Sequence, residues 1–329
     1  MSRFVKTLQV ILPNNTKLYS VFEAALPAAF KSARWLLSLM IPISLVVELL
    51  KFTGILAIIS GYLNPVFQLL GLSGQCAFVF LTSITLNIYS AIAVISTLPL
   101  TMREITIMAF MCLVSHNLIM ETIVQRKTGS SAITMVLIRL LTSLVGAIIF
   151  NLVLPASPIT NSLMLTTAAT SIPFWIVMKN WFIAALLLSI KVIVFVTTLM
   201  LIQKSLEAFG IFPILSKIFS PFLKILGLPE KASFLWIVAN VVGLAYGSAI
   251  MFDELKNNRI SKHETNLLNY HIAVSHSMLE DTLLFVAIGV SIWWITFPRI
   301  VFAMIIVWGR KLLAHKQFMN SYNSTAITL

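Results

Sequence analysis

Two matched octets hold the side chains most able to do chemistry. Ser115-His116-Asn117-Leu118-Ile119-Met120-Glu121-Thr122 and Ser275-His276-Ser277-Met278-Leu279-Glu280-Asp281-Thr282 align at a spacing of 276 − 116 = 160 residues. Each offers an imidazole, one or two carboxylates and hydroxyls within two turns, a set that can hold a polar solute, bind a cation or relay a proton. As regular helix, the octets put His276 against Glu280, Asn117 against Glu121 and Ser277 against Asp281, all i, i+4. Ser115 then shares a face with Thr122, and Ser275 with Thr282. Two imidazoles with three carboxylates could hold a divalent ion. No HExxH or CxxC spacing is present, so the metal stays unassigned.

Further polar groups come from the segment before each octet: Thr82, Ser83, Thr85, Asn87, Tyr89 and Ser90 in one case, Asn240, Tyr246 and Ser248 in the other. Helices this rich in amides and hydroxyls are expected to unwind or to face a wet cavity. The expected substrate or ion site therefore comprises Ser115, His116, Asn117, Glu121, Thr122, Ser275, His276, Glu280, Asp281 and Thr282, with Asn87 and Asn240 beside them.

The elements that position these groups lie in a membrane. The 329 residues are 59% hydrophobic and 10% charged, with a mean hydropathy of +0.96; a soluble domain is about half apolar and roughly a quarter charged. Apolar runs of about 20 residues, the length that spans a bilayer core as helix, recur along the chain, as in 132–154 and 181–202. Alternating strand patterns are absent, which favours a helical bundle over a barrel. Ionisable groups inside such spans point to a solute or ion path. The formal charge of +12 sits mainly at segment ends, an anchoring pattern and not a nucleic-acid footprint. Cys76 and Cys112 both fall within apolar spans, which gives no disulfide framework. Neither GxxxxGK[ST] nor GxGxxG occurs, so no nucleotide-hydrolysing pump and no cofactor are expected.

The chain repeats itself. Phe52–Leu72 lines up with Ala208–Leu228, matching Gly54 to Gly210, Pro65 to Pro221 and Gly71 to Gly227 at a spacing of 210 − 54 = 156. A longer loop in the second copy extends this to 160 at the octets. Capping boxes, Thr101-x-x-Glu104 and Ser261-x-x-Glu264, precede both octets. The expected organisation is an N-terminal cytoplasmic or interfacial segment (1–33), a first repeat (34–154), a polar linker and interfacial segment (155–179), a second repeat (180–313) and a polar tail (314–329). Each repeat holds a long span, a helix interrupted by Gly or Pro (54–72; 210–228) and three further spans.

If the interrupted helices cross, each repeat has five crossings and the second is inverted. The inside loops then carry Lys17, Lys31, Arg34, Arg126, Lys127, Lys256, Arg259, Lys262, Arg310 and Lys311, and the outside loops carry little beyond Lys51, Arg103 and Lys231. The positive-inside rule favours that arrangement, with both termini cytoplasmic in the inner cell membrane. Gly61, Asn64 and Pro65 would break a straight helix, so a re-entrant hairpin is the alternative.

The Gly/Pro-broken helix ending in Leu-Gly-Leu, the Asn-containing span and the Ser-His octet together resemble the nucleoside-recognition, or Gate, family of bacterial membrane proteins. That family includes spore maturation proteins A and B and the gate segments of ferrous iron transporter B. The resemblance runs from about Phe22 to Leu313 as two gate units. It implies an all-α polytopic bundle with two inverted repeats, and it implies transport through gate residues at Ser115, His116, Glu121, Ser275, His276, Glu280 and Asp281. The chain departs from the iron transporter in having no GTP-binding domain and no cysteines in the octets.

The expected function is a permease, not an enzyme, since no nucleophile elbow accompanies the Ser, His and Asp residues. It would move a nucleoside-like solute or an ion by alternating access between the repeats, with protonation of His116 or His276 as the coupling step. The competing readings are a non-transporting scaffold or assembly factor and a divalent metal transporter. The partners are the lipid bilayer and a small solute or ion, with no nucleic acid, and homo-oligomerisation is left open.

Overall fold

The computed structural model describes residues 16–155 and 173–327. The start of the expected N-terminal segment (1–15), most of the polar linker (156–172) and the last two residues of the tail lie outside the described residues. Among the described residues every regular element is helical, so the all-α membrane bundle expected from composition is the fold.

The first half comprises α1 (Thr16–Phe52), α2 (Ile55–Gln68), α3 (Cys76–Thr85), α4 (Ile88–Ile95), α5 (Met102–Ser115), α6 (Leu118–Lys127) and α7 (Ala132–Val153). The second repeats that order with α8 (Phe174–Ala208), α9 (Ile211–Ile225), a 3₁₀ turn (Glu230–Ala232), α10 (Ser233–Val241), α11 (Leu244–Lys256), α12 (Lys262–Ser275), α13 (Glu280–Val286) and α14 (Ile292–Ile327). Local sequence sets many of the boundaries. Both capping boxes form, with Thr101 and Ser261 accepting from the backbone of Glu104 and Glu264 and each Glu reaching back. Gly54 and Gly210 turn the chain between α1 and α2 and between α8 and α9 with φ of 75° and 65°, a conformation that costs glycine little.

Several expected boundaries move. Helix α1 is continuous through residue 33, α8 through 179 and α14 through 313, so those domain edges fall inside helices. The breaks expected at Gly61, Asn64 and Pro65 are not where the chain turns: α2 carries Pro65 within it, and the turns come at Gly54 and after Gln68. At 14 residues, α2 is about 21 Å long, short of the roughly 30 Å hydrocarbon core. The spans expected at 76–98 and 232–252 are each two short helices, parted at Leu86–Asn87 and Val242–Gly243. This is the unwinding that their polar content suggests.

Among the described residues, five segments are long and apolar enough to cross a membrane: Lys17–Phe52, Met102–Lys127, Ala132–Val153, Phe174–Ala208 and Ile292–Ala314. Apolar side chains cover the outside, as with Leu137, Leu141, Ile148 and Leu152 of α7 and Phe182, Leu186, Ile190 and Val194 of α8. The ionisable groups of the octets, with Arg139 and Arg299, lie within, the arrangement a lipid surround requires.

The halves interlock. Helix α1 runs along α8. Helix α5 packs on α7 of its own half and on α14 of the other, and α12 reciprocally packs on α14 and on α7. That exchange brings the two octets face to face.

Candidate functional site

Helix α5 stops at Ser115, His116 is extended (φ −62°, ψ 158°), and Asn117 takes the left-handed conformation (φ 46°) before α6 begins. The second octet does the same: α12 stops at Ser275, His276 is extended (φ −62°, ψ 166°) and Ser277 is left-handed (φ 50°). The octets are therefore breaks between half-helices. The regular-helix pairing of His276 with Glu280, and of Ser115 and Ser275 with the threonines seven residues on, is corrected accordingly.

A break inside a membrane survives only where the freed backbone groups find partners. Asn117 N–H donates to Ser83 O (2.8 Å), Ser277 N–H to Ala239 O (3.0 Å) and Leu279 N–H to Asn240 O (3.0 Å). Two fully buried arginines satisfy the carbonyls. Arg139 donates Nε to Val114 O (2.8 Å) and Nη2 to His116 O (2.6 Å). Arg299 donates Nε to Val274 O (2.9 Å) and Nη2 to His276 O. A guanidinium fork suits this because its donors are fixed in one plane.

The breaks turn the imidazoles and carboxylates of both halves toward one another. His116 Nε2 lies 3.2 Å from Glu121 Oε1 and 3.2 Å from Asp281 Oδ2, and His276 Nε2 lies 3.0 Å from Glu121 Oε2. Arg139 Nη2 is 2.8 Å from Glu121 Oε2. The two imidazole centroids are 5.0 Å apart, and all four His and carboxylate side chains are buried. On the far side of each ring, Nδ1 meets a carbonyl: His116 to Cys112 O (3.0 Å) and His276 to Ile272 O (2.8 Å). A carbonyl only accepts, so each Nδ1 carries the hydrogen and each Nε2 faces the carboxylates. His276 Nε2 and Asp281 Oδ2 have no aligned hydrogen bond among the described residues despite their short contacts. His116, Glu121 and His276 form a cluster that could hold a metal ion, with ligand atoms within 4.8 Å of one another.

The remaining expected residues divide. Glu280 accepts from Tyr89 Oη of α4 (2.7 Å), a bond that joins the halves beside the cluster. Thr282 accepts from Arg299 Nη1 (3.4 Å), and Thr122 Oγ1 is buried without a partner among the described residues. Ser115 and Ser275 donate back to Met111 O and His271 O within their own helices. Asn117 supplies the left-handed residue of the first break. Asn87 caps α4 by accepting from Ser90 N–H, and Asn240 donates to Trp236 O; among the described residues no bond ties either side chain to the cluster.

Arg139 and Arg299 are the site residues that sequence reasoning missed; Tyr89 stands among the polar groups noted before the first octet but outside the expected site. The arginines carried a signal: each stands inside an apolar run, and 299 − 139 = 160 is the octet spacing. A second polar contact joins the halves elsewhere. Asn269 Nδ2 donates to Thr128 Oγ1 (2.9 Å) and Ser130 Oγ (2.9 Å), and Gln125 Nε2 donates to Asn269 O (3.3 Å). At the equivalent positions, 269 − 160 and 125 + 160, stand Ala109 and Phe285, both in the apolar core.

The chain is 30% identical over 288 residues to a protein of Bacillus subtilis (strain 168) described as "Uncharacterized membrane protein YvoD", covering 87% of this chain and 92% of that one. No family model matches the chain. No solved structure matches it.

Proposed function

We propose, from the premise that this chain belongs to the same membrane-protein family as YvoD of Bacillus subtilis, that it is a permease in which two repeats close over one shared solute site. The observation that carries this reading is the pairing across the halves, His276 with Glu121 and His116 with Asp281, at the place where four half-helices end. Ionisable groups are costly at such depth and are held there for something that passes. A site built equally from two packed units opens to one side or the other when those units rock, which is how broken-helix transporters give alternating access.

The likeness to nucleoside-recognition membrane proteins belongs to this proposal. It is supported by the matched left-handed glycines at 54 and 210 and at 71 and 227, and by the matched breaks at 117 and 277. Inversion of the second repeat, both termini on the cytoplasmic side and residence in the inner cell membrane are proposed with it, on the distribution of basic residues. The proposed solute is small and polar, an ion or a nucleoside-like molecule, and its contacts are the imidazoles and carboxylates of the octets.

The test is side-specific labelling in membrane vesicles. In a background with Cys76 and Cys112 replaced by Ala, Ser115→Cys and Ser275→Cys are treated with a membrane-impermeant thiol reagent from each side. A permease predicts labelling that depends on the side and changes as the protein switches state. Complete protection of both positions from both sides, in folded protein, identifies a dry scaffold and defeats the proposal.

A further inference from the structure

The donor set between the halves is more specific than a generic polar site. Both imidazoles have Nδ1–H fixed on a backbone carbonyl, Cys112 O and Ile272 O, which is the outer bond that orients metal-binding histidines. Both Nε2 atoms then face the two oxygens of Glu121, at 3.2 and 3.0 Å, and Asp281 Oδ2 stands 3.2 Å from the first. Ligand atoms about 2.1 Å from a metal lie roughly 3.0 Å apart along an octahedral edge and roughly 3.4 Å apart along a tetrahedral one. The nitrogen–oxygen contacts of 3.0 and 3.2 Å match those edges, and the His116, Glu121 and His276 donor atoms all lie within 4.8 Å of one another.

Ordinary ion pairing explains the geometry less well. Charging both imidazoles would set two imidazolium rings with centroids 5.0 Å apart, and like charges so close oppose each other. Neutral rings would aim bare lone pairs at carboxylate oxygens. One cation between them resolves both conflicts. The neighbouring charge leaves room for it: Glu121, Glu280 and Asp281 are three carboxylates against two guanidinium groups, Arg139 and Arg299.

We propose that His116, Glu121 and His276 bind one divalent first-row transition-metal ion, through Nε2 of both imidazoles and the Glu121 carboxylate, with Asp281 beside His116. Two imidazole nitrogens with carboxylate oxygen suit zinc, iron(II), cobalt or manganese better than calcium or magnesium. This rests on the cluster being the solute site and narrows the solute to a metal cation, with the ion as cargo.

Equilibrium binding of Co(II) to the full chain purified in detergent, read by visible absorbance, tests it without any transport step. The expected result is one Co(II) per chain, displaced by Zn(II), with X-ray absorption of the loaded wild type showing two imidazole ligands. His276→Asn and His116→Asn should each weaken binding by more than the roughly 10- to 100-fold that loss of an outer partner costs, in samples whose unfolding remains cooperative. Wild-type protein that binds no stoichiometric metal, or a bound metal without two imidazoles, overturns the assignment; that readout needs no variant. Separate flux measurements in vesicles distinguish the two proposals. Stoichiometric binding with no flux keeps the metal site and defeats the permease, whereas flux of another solute through a chain that binds no metal does the reverse.

Discussion

Glu121 and Asp281 hold the same place in the two halves, 281 − 121 = 160 residues apart, and each carboxylate meets the histidine of the other half: Glu121 meets His276 at 3.0 Å and Asp281 meets His116 at 3.2 Å. The exchange is not quite symmetric. Glu121, longer by one methylene, also reaches the histidine of its own half at 3.2 Å.

That asymmetry predicts unequal effects of the conservative swaps. Glu121→Asp draws the carboxylate back from one imidazole and from Arg139, while Asp281→Glu adds reach. Loss of a partner for a buried charged group costs about 1–3 kcal/mol or more, so Glu121→Asp should lower the unfolding temperature in detergent clearly further than Asp281→Glu. Equal shifts would show that the two carboxylates are interchangeable.

The arginines at the breaks should be among the most sensitive positions. Arg139→Ala strips partners from Val114 O and His116 O and removes the guanidinium beside Glu121, and breaking such a buried pair costs about 3–5 kcal/mol. Arg139→Lys restores charge but not the fork, so thermal unfolding should rank wild type above Lys and Lys above Ala. An Arg139→Lys protein as stable as wild type would mean that charge alone holds the break.

Ser277 has φ of 50°, where glycine is at ease and a β-branched residue is strained. Ser277→Gly should leave stability unchanged within about 1 kcal/mol, whereas Ser277→Val should cost at least about 1–2 kcal/mol. Chemical denaturation of the two variants compares them directly. If valine is tolerated, the left-handed turn is not a fixed feature of the second break.

Tyr89→Phe removes the hydrogen bond that Tyr89 Oη gives Glu280 across the halves. A buried carboxylate left without that donor should destabilise the protein by about 1–3 kcal/mol. Tyr89→Phe in a Glu280→Gln background should cost markedly less, because the charge is gone, and additive losses in that double-mutant cycle would argue that the pair is not coupled.

What could be read in the sequence was what is local or duplicated. The capping boxes at Thr101 and Ser261 announce helix starts by their own four residues, and the octets stand out because imidazoles and carboxylates are rare in apolar runs. The breaks within the octets were hidden because nothing at His116–Asn117 forbids a helix. The carbonyls freed there are held by Arg139, 139 − 116 = 23 residues downstream, so the decision is tertiary. The i, i+4 pairing of His276 with Glu280 failed for the same reason, since the helix that would align them ends at Ser275. Pro65 shows the opposite error: a residue that usually interrupts a helix stays inside one.

The contact between Asn269 and Gln125, with Thr128 and Ser130, has no polar twin, since Ala109 and Phe285 occupy the equivalent places. If the halves part at the amide end, protein hydrogen bonds are traded for bonds to water, and the newly wetted polar surface lowers the heat capacity. Parting at the Phe285 end wets an aromatic ring and apolar neighbours, and raises it. The two directions of opening should therefore respond differently to cooling, which weakens the apolar seal and leaves the amide seal largely untouched.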